Sequence, residues 1–180
     1  MNVGLIAKRY ASALEQYSTE LGQADACVAD AGRMLHLADS LAGYLKQPMP
    51  VAAKMAILEK ALPDACDAFR RFLTVVVEHR REMYLKRILQ SYIALYKKAR
   101  GIVDARLTVA SPPSEQLLSR LEQITLEKVD AKKVDIEVTV NPDIIGGFVY
   151  KVEDRRLDAS VRRQINDLKR AFEVKNKRII

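Results

Sequence analysis

Through the first hundred residues, apolar side chains return every three or four positions, the spacing that collects them on one face of a helix. Between Val3 and Leu21 the stripe is Ile6, Tyr10, Ala13, Leu14, Tyr17 and Leu21, and Gly22 ends it. Ala7, Ala11 and Ala13 thin this helix enough for a neighbour to approach closely. A second helix is predicted over Ala24–Leu45, with Val28, Ala31, Leu35, Ala38, Ala42 and Leu45 inward and Pro48-Met49-Pro50 as its stop. A shorter one spans Ala52–Leu62 and closes at Pro63. Cys66–Glu78 follows, with Phe69, Phe72, Leu73 and Val76 on one face. Val75 and Val77 make it apolar nearly all round, so one of its faces must be covered by something other than the core. Met83–Ala99 carries Leu85, Ile88, Leu89, Tyr92, Ile93 and Tyr96. The joints are short, which makes neighbours antiparallel and predicts a helical bundle.

Beyond Gly101 the period changes to two. Val103, Ala105, Leu107 and Val109 alternate with polar residues up to Pro112-Pro113, and Val134, Ile136, Val138 and Val140 repeat the pattern. Between these strands Ser114 caps a helix from Glu115 to about Lys128, with Leu117, Leu121 and Ile124 inward. Asn141-Pro142-Asp143 stops the second strand. Gly146-Gly147 then permits a positive φ, or a close approach to another chain segment, that a Cβ would prevent. A short strand, Phe148–Val152, reverses at Glu153-Asp154 into Arg155–Leu157, and Asp158 or Ser160 caps a last helix bearing Val161, Ile165, Leu168 and Phe172. Strand, helix, strand, hairpin, helix predicts a small α+β unit with helices on one face of a short mixed sheet, in which a parallel pair would need a right-handed crossover. The expected division is 1–104 and 105–180.

Composition narrows the function. At 180 residues, 49% hydrophobic and 29% charged, the chain can bury a real core. Cys27 and Cys66 stand apart, each in an apolar helical pattern, with only His36 and His79 as further soft ligands; this is the pattern of buried free thiols and not of a zinc set. No residues form a catalytic constellation, and no cofactor is expected. The start has neither a signal-peptide nor a transit-peptide pattern, and no uncharged apolar run reaches the roughly 20 residues a bilayer span needs, so membrane association is expected only through a partner. The net charge of +7 points to an anionic or acidic partner. Much of it sits at the C-terminus, in Arg155, Arg156, Arg162, Arg163, Lys169, Arg170, Lys175, Lys177 and Arg178 against Asp158, Asp167 and Glu173.

Two segments carry a family resemblance. Pro142, the double glycine Gly146-Gly147, the short strand, and Asp158-Ala159-Ser160-Val161-Arg162 before a basic amphipathic helix closely resemble the C-terminal signature of the F-type ATP synthase delta subunits, called OSCP in mitochondria. Ala7-Lys8-Arg9-Tyr10-Ala11-Ser12-Ala13-Leu14 is similar to the family's opening. Ala159 stands where members mostly have glycine, and Glu78-His79-Arg80-Arg81 where they tend to have Glu-Asn-Gly-Arg or Glu-Asn-Lys-Arg. The resemblance implies a non-catalytic stator component of a bacterial enzyme at the cytoplasmic face of the inner membrane. It further implies an N-terminal six-helix domain on the catalytic head and a C-terminal domain gripping the b subunits of the peripheral stalk. The N-terminal helix of an alpha subunit would lie in a groove lined by Tyr10, Ala13, Leu14, Phe72, Val75 and Val76. Pro142, Gly146, Gly147, Asp158, Ser160 and Arg162 would shape the C-terminal domain.

The alternative is a basic nucleic-acid-binding module. Ile144-Ile145-Gly146-Gly147 has some likeness to the Ile-Gly-x-x-Gly loop of KH domains, but the second glycine is displaced and no aromatic residues interleave with the basic ones for base stacking. A phosphate-handling enzyme fits less well, because these glycines lead into a strand and not into a helix N-terminus.

Overall fold

The computed structural model describes residues 3–129 and 131–176. Lys177 and Arg178 of the basic terminus lie outside the described residues, as do the side chains of Phe172, Glu173 and Lys175. The chain divides into two compact units that meet between Ala99 and Arg100. The division expected at 104 falls earlier, and residues 100–104 belong to the second unit. Gly101, at φ +66°, ends the helix, and its carbonyl accepts the Lys132 N–H at 2.8 Å, so the chain is tied into the sheet from there on.

The first unit consists of α1 (Val3–Glu20), α2 (Ala24–Leu45), α3 (Val51–Ala61), α4 (Asp67–Glu78), a single 3-10 turn (Glu82–Tyr84) and α5 (Leu85–Ala99). The resemblance implied six helices; among the described residues there are five α-helices and that one turn. The reason lies in how α4 stops. The Arg80 N–H bonds the Val77 carbonyl at 3.0 Å and the Arg81 N–H bonds the Val76 carbonyl at 2.9 Å, the paired closure that needs a left-handed residue after the helix. Arg80 supplies it at φ +53°. Too few residues then remain before Leu85 for more than one turn, which Glu82 anchors by an ion pair with Lys54 of α3, both side chains largely buried. Arginine holds a conformation here that glycine adopts without strain, so Arg80→Gly is expected to raise the urea midpoint, by about 0.5–1 kcal/mol of stability.

The helical core is Ala7, Ala11 and Leu14 of α1, Cys27, Ala31 and Met34 of α2, Phe69, Phe72, Leu73, Val76 and Val77 of α4, and Leu85, Ile88, Leu89 and Tyr92 of α5. Two of the polar groups inside it are paired: the Ser18 and Tyr92 hydroxyls lie 3.3 Å apart, and the Asp30 carboxylate accepts the Cys66 N–H at 2.8 Å and pairs with Arg33. Cys27 is a buried free thiol, as its pattern predicts, and burial pushes its pKa up to about 12. Cys66 is only half-buried, because it sits at the exposed start of α4, and burial again raises it.

The second unit is a four-stranded sheet in the order β2-β1-β3-β4, from β1 (Ile102–Val109), β2 (Lys133–Val140), β3 (Phe148–Val152) and β4 (Arg155–Asp158). β1 runs parallel to β2 through the crossover helix α6 (Glu115–Val129) and antiparallel to β3. Ala105, Leu107, Val109, Val134, Tyr150 and Val152 pack with Leu117, Leu118, Leu121 and Leu126 of α6, and the Tyr150 hydroxyl meets the Thr125 hydroxyl at 2.7 Å in the middle. The other face is charged: the register aligns Glu137, Arg106, Lys151 and Arg156 in one rank across all four strands. Among the described residues, α6 supplies the helix side of this apolar cluster. The last helix, α7 (Val161–Asn176), packs against the Pro142–Ile144 turn and shares a cavity with Val149 and Arg156 of the charged face, so the two helices do not lie together on one side. The cause is the junction of Gly146-Gly147 with the start of α7.

Candidate binding surfaces

α1 turns its small residues inward. Ala7, Ala11, Leu14 and Ser18 are its buried positions, and the close fit they allow lets α1 lie along α5. Ile6, Tyr10, Ala13 and Tyr17, predicted to face the core, therefore sit one step round the helix, where they border a groove of about 700 Å³ between α1 and α4. Leu5, 62% exposed, extends its apolar wall, and Phe72 and Val75 form the α4 side. Val75 is 42% exposed and is the apolar residue that α4 presents outward. The groove thus brings together Tyr10, Ala13, Leu14, Phe72 and Val75. Val76 is not among them: it is fully buried in the core, because one residue along a helix is a 100° turn away. Sequence reasoning overlooked Leu5, Arg9, Arg71 and Arg81, which also border the groove. The signal for Arg9 was present in its position one turn before Ala13. Arg71 donates to the Tyr17 hydroxyl at 3.0 Å, fixing one arginine at the rim.

The second surface grows from the double glycine. Asn141 accepts the Asp143 N–H at 2.9 Å through its side chain, and Pro142 opens the 3-10 turn that carries the chain into the glycines. Gly147 has φ +72°, and a Cβ there would stand 2.2 Å from the Ala159 carbonyl oxygen. At Gly146 a Cβ would lie 3.1 Å from the Val161 side chain. The glycines let the chain entering β3 press against the residues that start α7, with the Val161 N–H donating to the Gly146 carbonyl at 3.0 Å and the Ala159 N–H to the Phe148 carbonyl at 2.9 Å. Ser160 is the cap, its hydroxyl accepting the Arg163 N–H at 3.2 Å, and Asp158 accepts both the N–H and the hydroxyl of Ser160. Those bonds from Ser160, above all the hydroxyl's, hold the Asp158 carboxyl below its usual range, so it works as an ionised cap support. Arg162 is exposed on the first turn of α7. Sequence reasoning overlooked Ile145, which has φ +70° and is 63% exposed; a β-branched residue gives no local hint of that conformation.

The family description "ATP synthase delta (OSCP) subunit" matches residues 6–172, nearly the whole chain. The chain belongs to this family. Delta subunits are components of the peripheral stalk of ATP synthase, and this replaces the nucleic-acid alternative. The ATP synthase subunit delta of Phocaeicola vulgatus is 34% identical over the full length of both chains. That of Carboxydothermus hydrogenoformans is 32% identical, with 93% of this chain and 96% of the relative aligned. In fold, the chain is similar to a chain of the Toxoplasma gondii mitochondrial ATP synthase hexamer, with a TM-score of 0.67 at 18% identity, covering 92% of this chain and 96% of that one. As a delta (OSCP) family member the protein is a subunit of ATP synthase, and no helix among its described residues is long and apolar enough to cross a membrane.

Proposed function

We propose that the protein is a mechanical adaptor without chemistry of its own. Its first unit, to Ala99, receives the N-terminal helix of an alpha subunit in the α1–α4 groove. The second unit binds the b subunits of the stalk. Placed in this way at the cytoplasmic face of a bacterial inner membrane, it holds the catalytic head still, so that ion-driven rotation is converted into ATP synthesis. The observation that carries the alpha-subunit reading is the orientation of α1: its small residues face the core, while Tyr10, Ala13 and Tyr17 are left for an apolar groove of helix-binding type. Three arginines at the margins, Arg9, Arg71 and Arg81, suit a helix with acidic residues beside its apolar stripe.

Titration calorimetry of the full chain with a peptide of the alpha subunit's first 20 or so residues tests the reading. One-to-one binding with a negative heat-capacity change is expected, the sign of apolar burial. Absence of heat and of any change in peptide helicity would rule out the groove as the head-binding site.

A further inference from the structure

The charged face of the sheet sets three cations side by side. In the register of β1, β3 and β4, Arg106 is the direct partner of Lys151, and Lys151 of Arg156, which places successive Cβ atoms roughly 5 Å apart. Like charges directly opposite one another destabilise a sheet. Carboxylates answer the two outer cations: Glu137 takes the Arg106 Nε and one terminal nitrogen at 3.1 Å, and Asp158 takes one terminal nitrogen of Arg156 at 3.0 Å. Among the described residues, Lys151 between them has no ion pair.

All three cations border one cavity of about 270 Å³, and no carboxylate is among the residues that line it. Ile144 and Val149 supply its apolar part, Thr108 and Asn141 its neutral polar part. The Asn141 side-chain oxygen already accepts the Asp143 N–H at 2.9 Å, so the group it has left to offer is the donating NH2. Thr108, two residues from Arg106 on the same face of β1, adds a hydroxyl. We propose that this cavity is a binding site for a phosphate group bearing two or more negative charges: inorganic phosphate, pyrophosphate or the terminal phosphoryl group of a soluble phosphomonoester. Its oxygens accept from the Lys151 ammonium, from the second terminal nitrogen of each arginine, and from Thr108 and Asn141. Charge selects the ligand. A phosphodiester, whether in a phospholipid or along a nucleic-acid backbone, brings a single negative charge to three cations, and so does one acidic side chain.

The test titrates sodium phosphate, and separately pyrophosphate, into the full chain at constant ionic strength, with sodium chloride as the reference, and follows backbone amide resonances. Saturable shifts at Thr108, Lys151 and Arg156 are expected, with pyrophosphate bound at least about fivefold more tightly than phosphate. Lys151→Gln should weaken both roughly tenfold. It should also raise the melting temperature of the second unit without phosphate, by relieving the repulsion, and remove the further rise that phosphate gives the parent. A merely solvated charge would show the first of these effects without the second. Arg156→Gln, exposed on the edge strand, provides an independent variant with the same expected loss of affinity. Arg120→Gln removes an equal charge from an exposed position of α6, which packs on the opposite face, and should bind like the parent. Shifts that sodium chloride reproduces, or parental affinity in both Lys151→Gln and Arg156→Gln, would overturn the site. So would phosphatidylglycerol vesicles or a random oligonucleotide displacing pyrophosphate at equal phosphorus concentration, since a singly charged diester would then be the better ligand.

Discussion

Replacing Gly147 by aspartate is expected to unfold the second unit and leave the first intact. The new Cβ would stand 2.2 Å from a backbone oxygen, that of Ala159, and no rotamer change relieves a contact with main chain. The residue must also hold φ +72°, which is strained for any side chain. Left-handed strain and forced separation of the packed segments together cost about 2–5 kcal/mol, a large part of the stability of a unit this small. Gly147→Ala should produce most of the effect, since the clash is with the Cβ itself. The two units have separate cores, so the expected result is loss of the cooperative sheet transition in thermal melts, with helical signal and alpha-peptide binding by the first unit retained. Parental melting of Gly147→Asp would show that the junction opens freely, and that α7 is not held by it.

The second large effect is expected at Ala13. It is exposed and makes no part of the core, so Ala13→Asp should leave the melting temperature within a degree or two of the parent. Within the occupied groove the carboxylate would lie between Tyr10 and Phe72, taken out of water by the bound helix. An incompletely compensated charge there costs about 2–3 kcal/mol, which is roughly 30- to 150-fold in affinity for the alpha-subunit peptide. Calorimetry on parent and variant reads this directly, and Val76→Ala serves as contrast: it should lower stability through a core cavity while changing affinity little. Equal affinity of Ala13→Asp and parent would move the alpha-subunit site off α1.

The helical spacing located α1 through α7 to within a few residues, because a stripe with a period near 3.6 is a property of the segment itself. What it does not encode is what the stripe faces. Ile6, Tyr10, Ala13 and Tyr17 have the spacing of a core face, yet α1 buries the smaller set one step round, since alanine allows the closer approach to α5. Ile165 and Leu168 repeat the case: the pattern is that of an inward face, and the residues are exposed. Gly147 was legible because a doubled glycine at a tight joint has few other uses, and its neighbour at φ +70° was not, since isoleucine is the last residue one would place there. Arg80 was similarly hidden, and only the family's glycine at the equivalent place hints at the left-handed turn. The charged rank Glu137–Arg106–Lys151–Arg156 depends on register across four strands, which no local window contains.

The position of β1 has a consequence for the order in which the protein is made. It is the first strand to be synthesised and yet lies inside the sheet, paired with β2 along one side and with β3 along the other. Until the ribosome has delivered α6, β2 and the hairpin, both edges of β1 carry unpaired amides and carbonyls, an invitation to pair with a neighbouring nascent chain. The helical unit ahead of it meets its own partners within α1 to α5 and can be complete by then. A growing chain therefore has a finished helical unit and an unfinished strand at once, and the stretch from Ile102 to Val152 is where slow translation or a missing chaperone would do the most harm.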